Sequence, residues 1–154
     1  MIRPATVEDL PSLNPMILRS KAHWGYDAAF MAACRDALRL TPRDFETSDI
    51  VVFANRLIQG VCKLEIQSET ASLDKLFVDP DAMGKGVGRA LMRWAIDRAR
   101  DKHASHMMIE ADPGAAPFYE RMGARIVGQV ASEAIVGRTL PLLRLDLPGL
   151  APAA

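Results

Sequence analysis

The stretch "DAMGKGVGRALM", residues 81–92, sets Gly84, Gly86 and Gly88 around Lys85, immediately ahead of an amphipathic helical pattern. Residues of this kind hold phosphate. Glycines let backbone amides approach an anion with no Cβ in the way, and a helix start offers unpaired N–H groups and the positive end of a dipole. Two familiar phosphate loops do not fit. A Walker A loop needs glycine where Asp79 stands and Ser or Thr where Gly86 stands. A dinucleotide fingerprint begun at Gly84 needs glycine in place of Arg89, and one begun at Gly86 needs it in place of Leu91. Metal chemistry finds no support either: no Cys or His pair has ligand spacing, His103 and His106 falling at a helix-to-strand junction. Cys34 and Cys62 lie in separate apolar stretches and read as buried free thiols in a reducing cytoplasm.

The elements that must position this loop are those of one domain. The chain of 154 residues is long enough for a single real core, expected over residues 1–147 with a frayed tail at 148–154. Its formal net charge is zero, which leaves no basic field to gather nucleic acid or an anionic membrane. "MIRPATVEDL" opens the chain with no long apolar run, so neither a secretory signal nor a membrane span is expected.

"IRPA" reads as a first strand, and "TVED" as a capping-box start to a helix reaching about Lys21. Pro11 and Pro15 predict that this helix is irregular or broken. A second helix is expected over Ala28–Leu40, followed by the polar connection "TPRDFETSD". Three strands then form a meander: "IVVFA", "LIQGVCKLEI" and "ASLDKLFV". The glycine loop leads into a helix whose apolar side carries Val87, Leu91, Trp94 and Ala95, with Arg93, Asp97 and Arg100 on a solvated stripe. "HMMIEA" is a strand, "GAAPFYERM" a short helix closed by Gly123, and "ARIVGQVA" and "TLPLLRLDL" the last two strands. The order is β-α-α-β-β-β-α-β-α-β-β, an α/β (α+β) arrangement with a mixed, mostly antiparallel sheet of about seven strands and helices on both faces.

"LFVDPDAMGKGVGRALM", followed some twenty residues later by "IEADPGAAPFYERMGARIVG", resembles the GNAT (general N-acetyltransferase) superfamily over residues 73–128, and the flanking elements agree with its fold. The resemblance implies an acetyl-CoA-dependent N-acetyltransferase, with the pyrophosphate of coenzyme A on the loop of Met83, Gly84, Lys85, Gly86, Val87, Gly88 and Arg89. Met83 stands where the family usually has Arg or Gln, which weakens rather than abolishes that contact. In "LFV" the family's strand splays from its neighbour, so Leu76 would donate its amide to the thioester carbonyl and Val78 would pair with pantetheine, beside Phe77. Asp112 and Ala115 match a second cofactor-contacting segment, where Asp112 replaces an Asn and adds a negative charge. Tyr119 matches the tyrosine that commonly protonates the departing thiolate; its other reading is a structural tyrosine capping the core. Glu110 matches a recurring general-base position, with Glu65 and Asp74 as rivals.

The family's acceptor cleft is lined by segments matching "RSKAHWGYD" and "ASEAIVGRTLP". His23, Trp24 and Tyr26 are therefore candidate acceptor contacts, although Trp24 and Tyr26 could equally dock the helical layer on the sheet. Glu133 and Arg138 are candidates for a charged acceptor. Amino acids, polyamines, aminoglycoside-like amines and protein N-termini are all open, and a small-molecule amine is favoured because the chain has no extra domain or evident peptide groove. The resemblance also admits a homodimer, with "LPLLRLDL" at its interface. The alternative class is a non-catalytic acyl-CoA-binding sensor or partner module, a role that Met83 and Asp112 would suit.

Overall fold

The structure is a computed structural model and describes residues 1–148. The residues of the expected tail from 149 onward lie outside the described residues. Seven strands form one sheet: β1 (Ile2–Pro4), β2 (Asp49–Ala54), β3 (Ile58–Gln67), β4 (Thr70–Val78), β5 (His106–Glu110), β6 (Arg125–Ala131) and β7 (Thr139–Asp146). Their spatial order is β1-β2-β3-β4-β5-β7-β6, with β4 and β5 parallel and every other neighbour antiparallel. The helices are α1 (Leu10–Ala22), α2 (Ala28–Leu38), α3 (Asp44–Thr47), α4 (Val87–Asp101) and α5 (Ala116–Arg121).

Strand alternation divides the core into two layers. Cys62 and Leu64 of β3 face α4 together with Leu91, Met92, Ala95, Met107 and Tyr119. Val61 turns to the opposite face, where it meets Leu13, Met16 and Ile17 of α1 with Leu40 and Val52. The charged residues Arg93, Asp97 and Arg100 of α4 are exposed as expected.

The expected helix is irregular at its start, where Val7–Asp9 form a 3-10 turn, but it is not broken, for α1 runs on continuously with Pro15 inside it. Pro15 costs the helix a backbone bond, and tertiary contacts on either side of it compensate. Leu13, Met16 and Ile17 are almost fully buried, and the Asn14 side chain donates to the Leu40 carbonyl at 3.0 Å and accepts from the Leu40 amide at 2.8 Å. α2 stops at Leu38, two residues early, and the polar connection contains the short helix α3. β7 is an interior strand paired on both edges, by β5 and β6, so "LPLLRLDL" presents no free edge and the edge strand is β6.

Gly60 of β3 packs directly against α4. A Cβ there would lie 2.8 Å from both Leu91 Cδ1 and Val87 Cγ1 and 3.2 Å from the Phe77 carbonyl oxygen. Gly60→Ala is expected to destabilise the fold by about 1–3 kcal/mol through overpacking, read as a lower denaturant midpoint at unchanged slope.

Candidate active site

β4 and β5 pair only from Thr70↔His106 to Leu73↔Ile109, after which they separate. The cause is local. Lys63 of β3 faces Lys75 while Leu64 faces Leu73, so Asp74 is an extra residue in β4, and a bulge of this kind bends its strand. Beyond it β4 stays with β3, whereas Glu110 of β5 pairs with Leu142 of β7. The Asp79 amide donates to the Gln59 carbonyl at 2.8 Å, towards β3. Since successive strand amides point in opposite directions, those of Leu76 and Val78 point into the gap.

The gap belongs to a cavity of about 860 Å³. The glycine loop lies at one end. Gly84 and Gly86 have φ of +77° and +83°, the left-handed region that glycine tolerates and other residues rarely do. Gly86 is also the N-cap of α4, and no side chain caps the helix or places a carboxylate in its first turn. The first helical bond runs from the Ala90 amide to the Gly86 carbonyl at 3.0 Å, so the amides of Val87, Gly88 and Arg89 are left for an anion. Met83, Gly84, Gly86, Val87, Gly88 and Arg89 line the cavity; Lys85 does not.

Tyr119 of α5 and Glu110 of β5 also line the cavity. Tyr119 is 6% exposed. Burial, with the Cys62 sulfur as a smaller influence, pushes its phenol well above the ordinary tyrosine value, so the hydroxyl is protonated at neutral pH. Glu110 is raised first by partial burial, then by the neighbouring carboxylates of Glu133 and Asp74. Asp74 goes the other way: burial works to raise it, but Lys63 at 2.8 Å and Lys75 at 3.5 Å outweigh that and hold it low.

Leu76, Phe77, Val78, Asp112 and Ala115 line the cavity as well, but Asp112 is already engaged. Its Oδ2 accepts from Lys21 Nζ at 2.7 Å and from the Tyr26 hydroxyl at 2.6 Å, and its Oδ1 accepts from the Gly114 amide at 2.9 Å. Arg138 donates to the Tyr26 oxygen at 2.6 Å and lies 3.7 Å from Asp112. Burial and the Asp112 contact push the Tyr26 phenol up to about 12.

Of the three aromatic candidates, only Trp24 reaches the cavity. Its ring lies over Gly114, where a Cβ would come within 2.7 Å of it. Tyr26 stacks on Phe30 at 3.9 Å and serves the Asp112 cluster, while His23 is exposed and meets Trp24 edge-on at 5.9 Å. Lys21 was the residue hardest to foresee. A trace of it exists in the sequence, because it extends the buried stripe Leu13, Met16, Ile17 and Ser20 by one more inward position.

The split sheet, the uncapped glycine-rich helix start, Tyr119 and Glu110 thus share one cavity. The chain belongs to the GNAT acetyltransferase family: residues 28–136 match the Acetyltransferase (GNAT) domain. It is similar to the peptidyl-lysine N-acetyltransferase YjaB of Salmonella typhimurium, 33% identical over 76 residues, and spans about half the length of that relative (49% of this chain, 50% of the other). Its fold matches the GCN5-related N-acetyltransferase structure from Rhodopseudomonas palustris at TM-score 0.79 and 18% identity, covering 96% of this chain and 95% of the other. It also matches the PaiA N-acetyltransferase of Thermoplasma acidophilum, solved with coenzyme A, at TM-score 0.77 and 16% identity, over 95% and 98% of the two chains. Among the described residues no helix is long and apolar enough to cross a membrane.

Proposed function

We propose that this chain transfers the acetyl group of acetyl-CoA to a primary amine on a small-molecule acceptor. The observation that supports it best is the opening between β4 and β5, which joins the free amides of the glycine loop to Tyr119 and Glu110 in one cavity. A volume of about 860 Å³ suits a cofactor of this size class. Acetyl-CoA would supply an activated thioester. Its pyrophosphate would be held by the amides of Gly84 to Arg89, and its pantetheine arm by the inward-facing amides of Leu76 and Val78.

The remaining roles fall to side chains of this chain. Attack on a thioester needs a neutral amine, and Glu110 is placed to take the ammonium proton. Its raised proton affinity makes it a better base than Asp74, which two lysines hold low. Tyr119 carries a proton at neutral pH and would give it to the departing sulfur.

The test is release of free thiol from acetyl-CoA across a set of amines, followed against pH. Glu110 acts as base only when ionised, so kcat/KM should fall as pH drops through its raised value. Glu133→Gln removes one of the carboxylates raising Glu110 and should move that acid limb to lower pH. Glu110→Gln should abolish the limb and cost about 10²–10⁴-fold in rate. An unchanged acid limb in Glu110→Gln would assign the base elsewhere.

A further inference from the structure

The acceptor side of the cavity carries two kinds of charge, drawn from segments far apart in sequence. Lys21 from α1 and Arg138 from the loop between β6 and β7 both line it, and they share a single carboxylate, Asp112. Two cations against one anion leave a positive charge at the wall. The rings of Tyr26 and Phe30 lie beneath both cations, with Lys21 Nζ 5.1 Å and the Arg138 guanidinium carbon 5.0 Å from the Tyr26 centroid. This holds the two heads in place.

Their hydrogen-bonding capacity is not used up. Lys21 gives one of its three donors to Asp112, and Arg138 gives Nη2 to Tyr26. Nε and Nη1 of Arg138 have no hydrogen-bond partner among the described residues. No buried side-chain nitrogen among the described residues lacks a partner, so these N–H groups are not sealed in the interior, and they belong to a residue that lines the cavity. A guanidinium edge beside an ammonium matches a carboxylate, phosphonate or phosphate.

Glu133, on the same loop as Arg138, contributes the opposite charge. The Ser132 amide donates to the Arg138 carbonyl at 2.8 Å, closing the loop, and the Ser132 hydroxyl accepts from the amides of Ala134 and Ile135 at 3.3 and 3.2 Å. Glu133 forms no ion pair among the described residues, lines the same cavity as Glu110 and is one of the carboxylates that raise it. The cavity therefore presents carboxylates where an ammonium would be deprotonated, and cationic donors gathered on Asp112, two residues beyond Glu110.

We infer that the acceptor is zwitterionic: an amino-acid-like amine whose anionic group docks on Lys21 and Arg138 while its ammonium meets Glu110 and Glu133. This inference rests on the acetyl-transfer reading and narrows its acceptor. A plain polyamine or a lysine side chain within a peptide lacks the anion this wall is built to receive.

The experiment measures thiol release from acetyl-CoA with each of the standard α-amino acids and with its carboxamide, which removes the negative charge and also makes the α-amine less basic. Both series are run across a pH range and compared at matched fractions of protonated amine, with a lysine-containing peptide alongside. The expected result is a preference of about tenfold or more in kcat/KM for at least one free acid over its carboxamide. Arg138→Gln, shown folded by its circular dichroism and melting, should lose that preference, through a higher KM for the free acid; a preference kept in this variant would overturn the inference. Arg138→Lys should restore part of it. Equal or better use of the carboxamides or the peptide would overturn the inference and leave acetyl transfer standing. Thiol release with none of them would overturn both.

Discussion

Tyr119→Phe is expected to lower turnover by about 10²–10⁴-fold while leaving the affinity for coenzyme A within about twofold. The substitution deletes one oxygen from a ring that is 6% exposed and packed edge-on against Phe118, so the shape of the cavity wall at α5 is kept. What would be lost is the proton that Tyr119 is proposed to give the sulfur. A thiolate leaving without one accumulates negative charge in a cavity where burial already penalises charge, as the raised Tyr119 phenol shows. Steady-state thiol release and calorimetric titration of coenzyme A, on the same preparation, separate the two quantities. The pairing also decides between an enzyme and a binding module: a protein that only senses acyl-CoA has no turnover for the hydroxyl to support. A variant with unchanged turnover would return Tyr119 to the role of a core-capping tyrosine.

Asp112→Ala should be among the most destabilising single changes in the molecule, by about 3–5 kcal/mol. Asp112 and Lys21 have side chains only 10% and 11% exposed, and removing the carboxylate leaves Lys21 and Arg138, both close to the Tyr26 ring, with no anion between them. The loss shows as a fall in the denaturant midpoint. Acid titration adds an independent check. Burial acts to raise the Asp112 carboxyl, but the hydrogen bonds from Lys21, Tyr26 and the Gly114 amide outweigh it and hold the group below the usual range. A lowered carboxyl contributes stability that is complete above its unfolded value, about 3.9, and is lost as pH falls through the folded one. Asp112→Asn, which keeps the shape, should be less damaging than alanine and should flatten that acid-side slope.

Much of the architecture was legible in the sequence, because it follows from local periodicity and local chemistry. The alternation of Val61 to Ile66, the apolar stripe of α4 and Gly123 after α5 each announce their element within a few residues. The glycine loop is legible for the same reason: its positive-φ glycines and uncapped helix start are contained in residues 84 to 89. Features that arise between distant segments were not legible. No local signal says that β7 inserts between β5 and β6, or that Asp74 is the extra residue that parts β4 from β5. The three aromatics at 23 to 26 look alike in sequence, yet Trp24 reaches the cavity, Tyr26 braces Asp112 and His23 faces outward. Their fates are set by Gly114, Asp112 and Arg138, some ninety to over a hundred positions away. Pro15 was over-weighted for a related reason, since its cost is local while the burial of Leu13, Met16 and Ile17 that offsets it is tertiary.

The most direct test of the central claim is a crystal structure with acetyl-CoA bound. The pyrophosphate should lie on the amides of Gly84 to Arg89, the pantetheine arm should run in the gap beyond Leu73, and the thioester carbonyl should accept from the Leu76 amide with its sulfur within reach of the Tyr119 hydroxyl. A cofactor seated away from the β4–β5 opening, or a thioester turned away from Tyr119, would contradict the account.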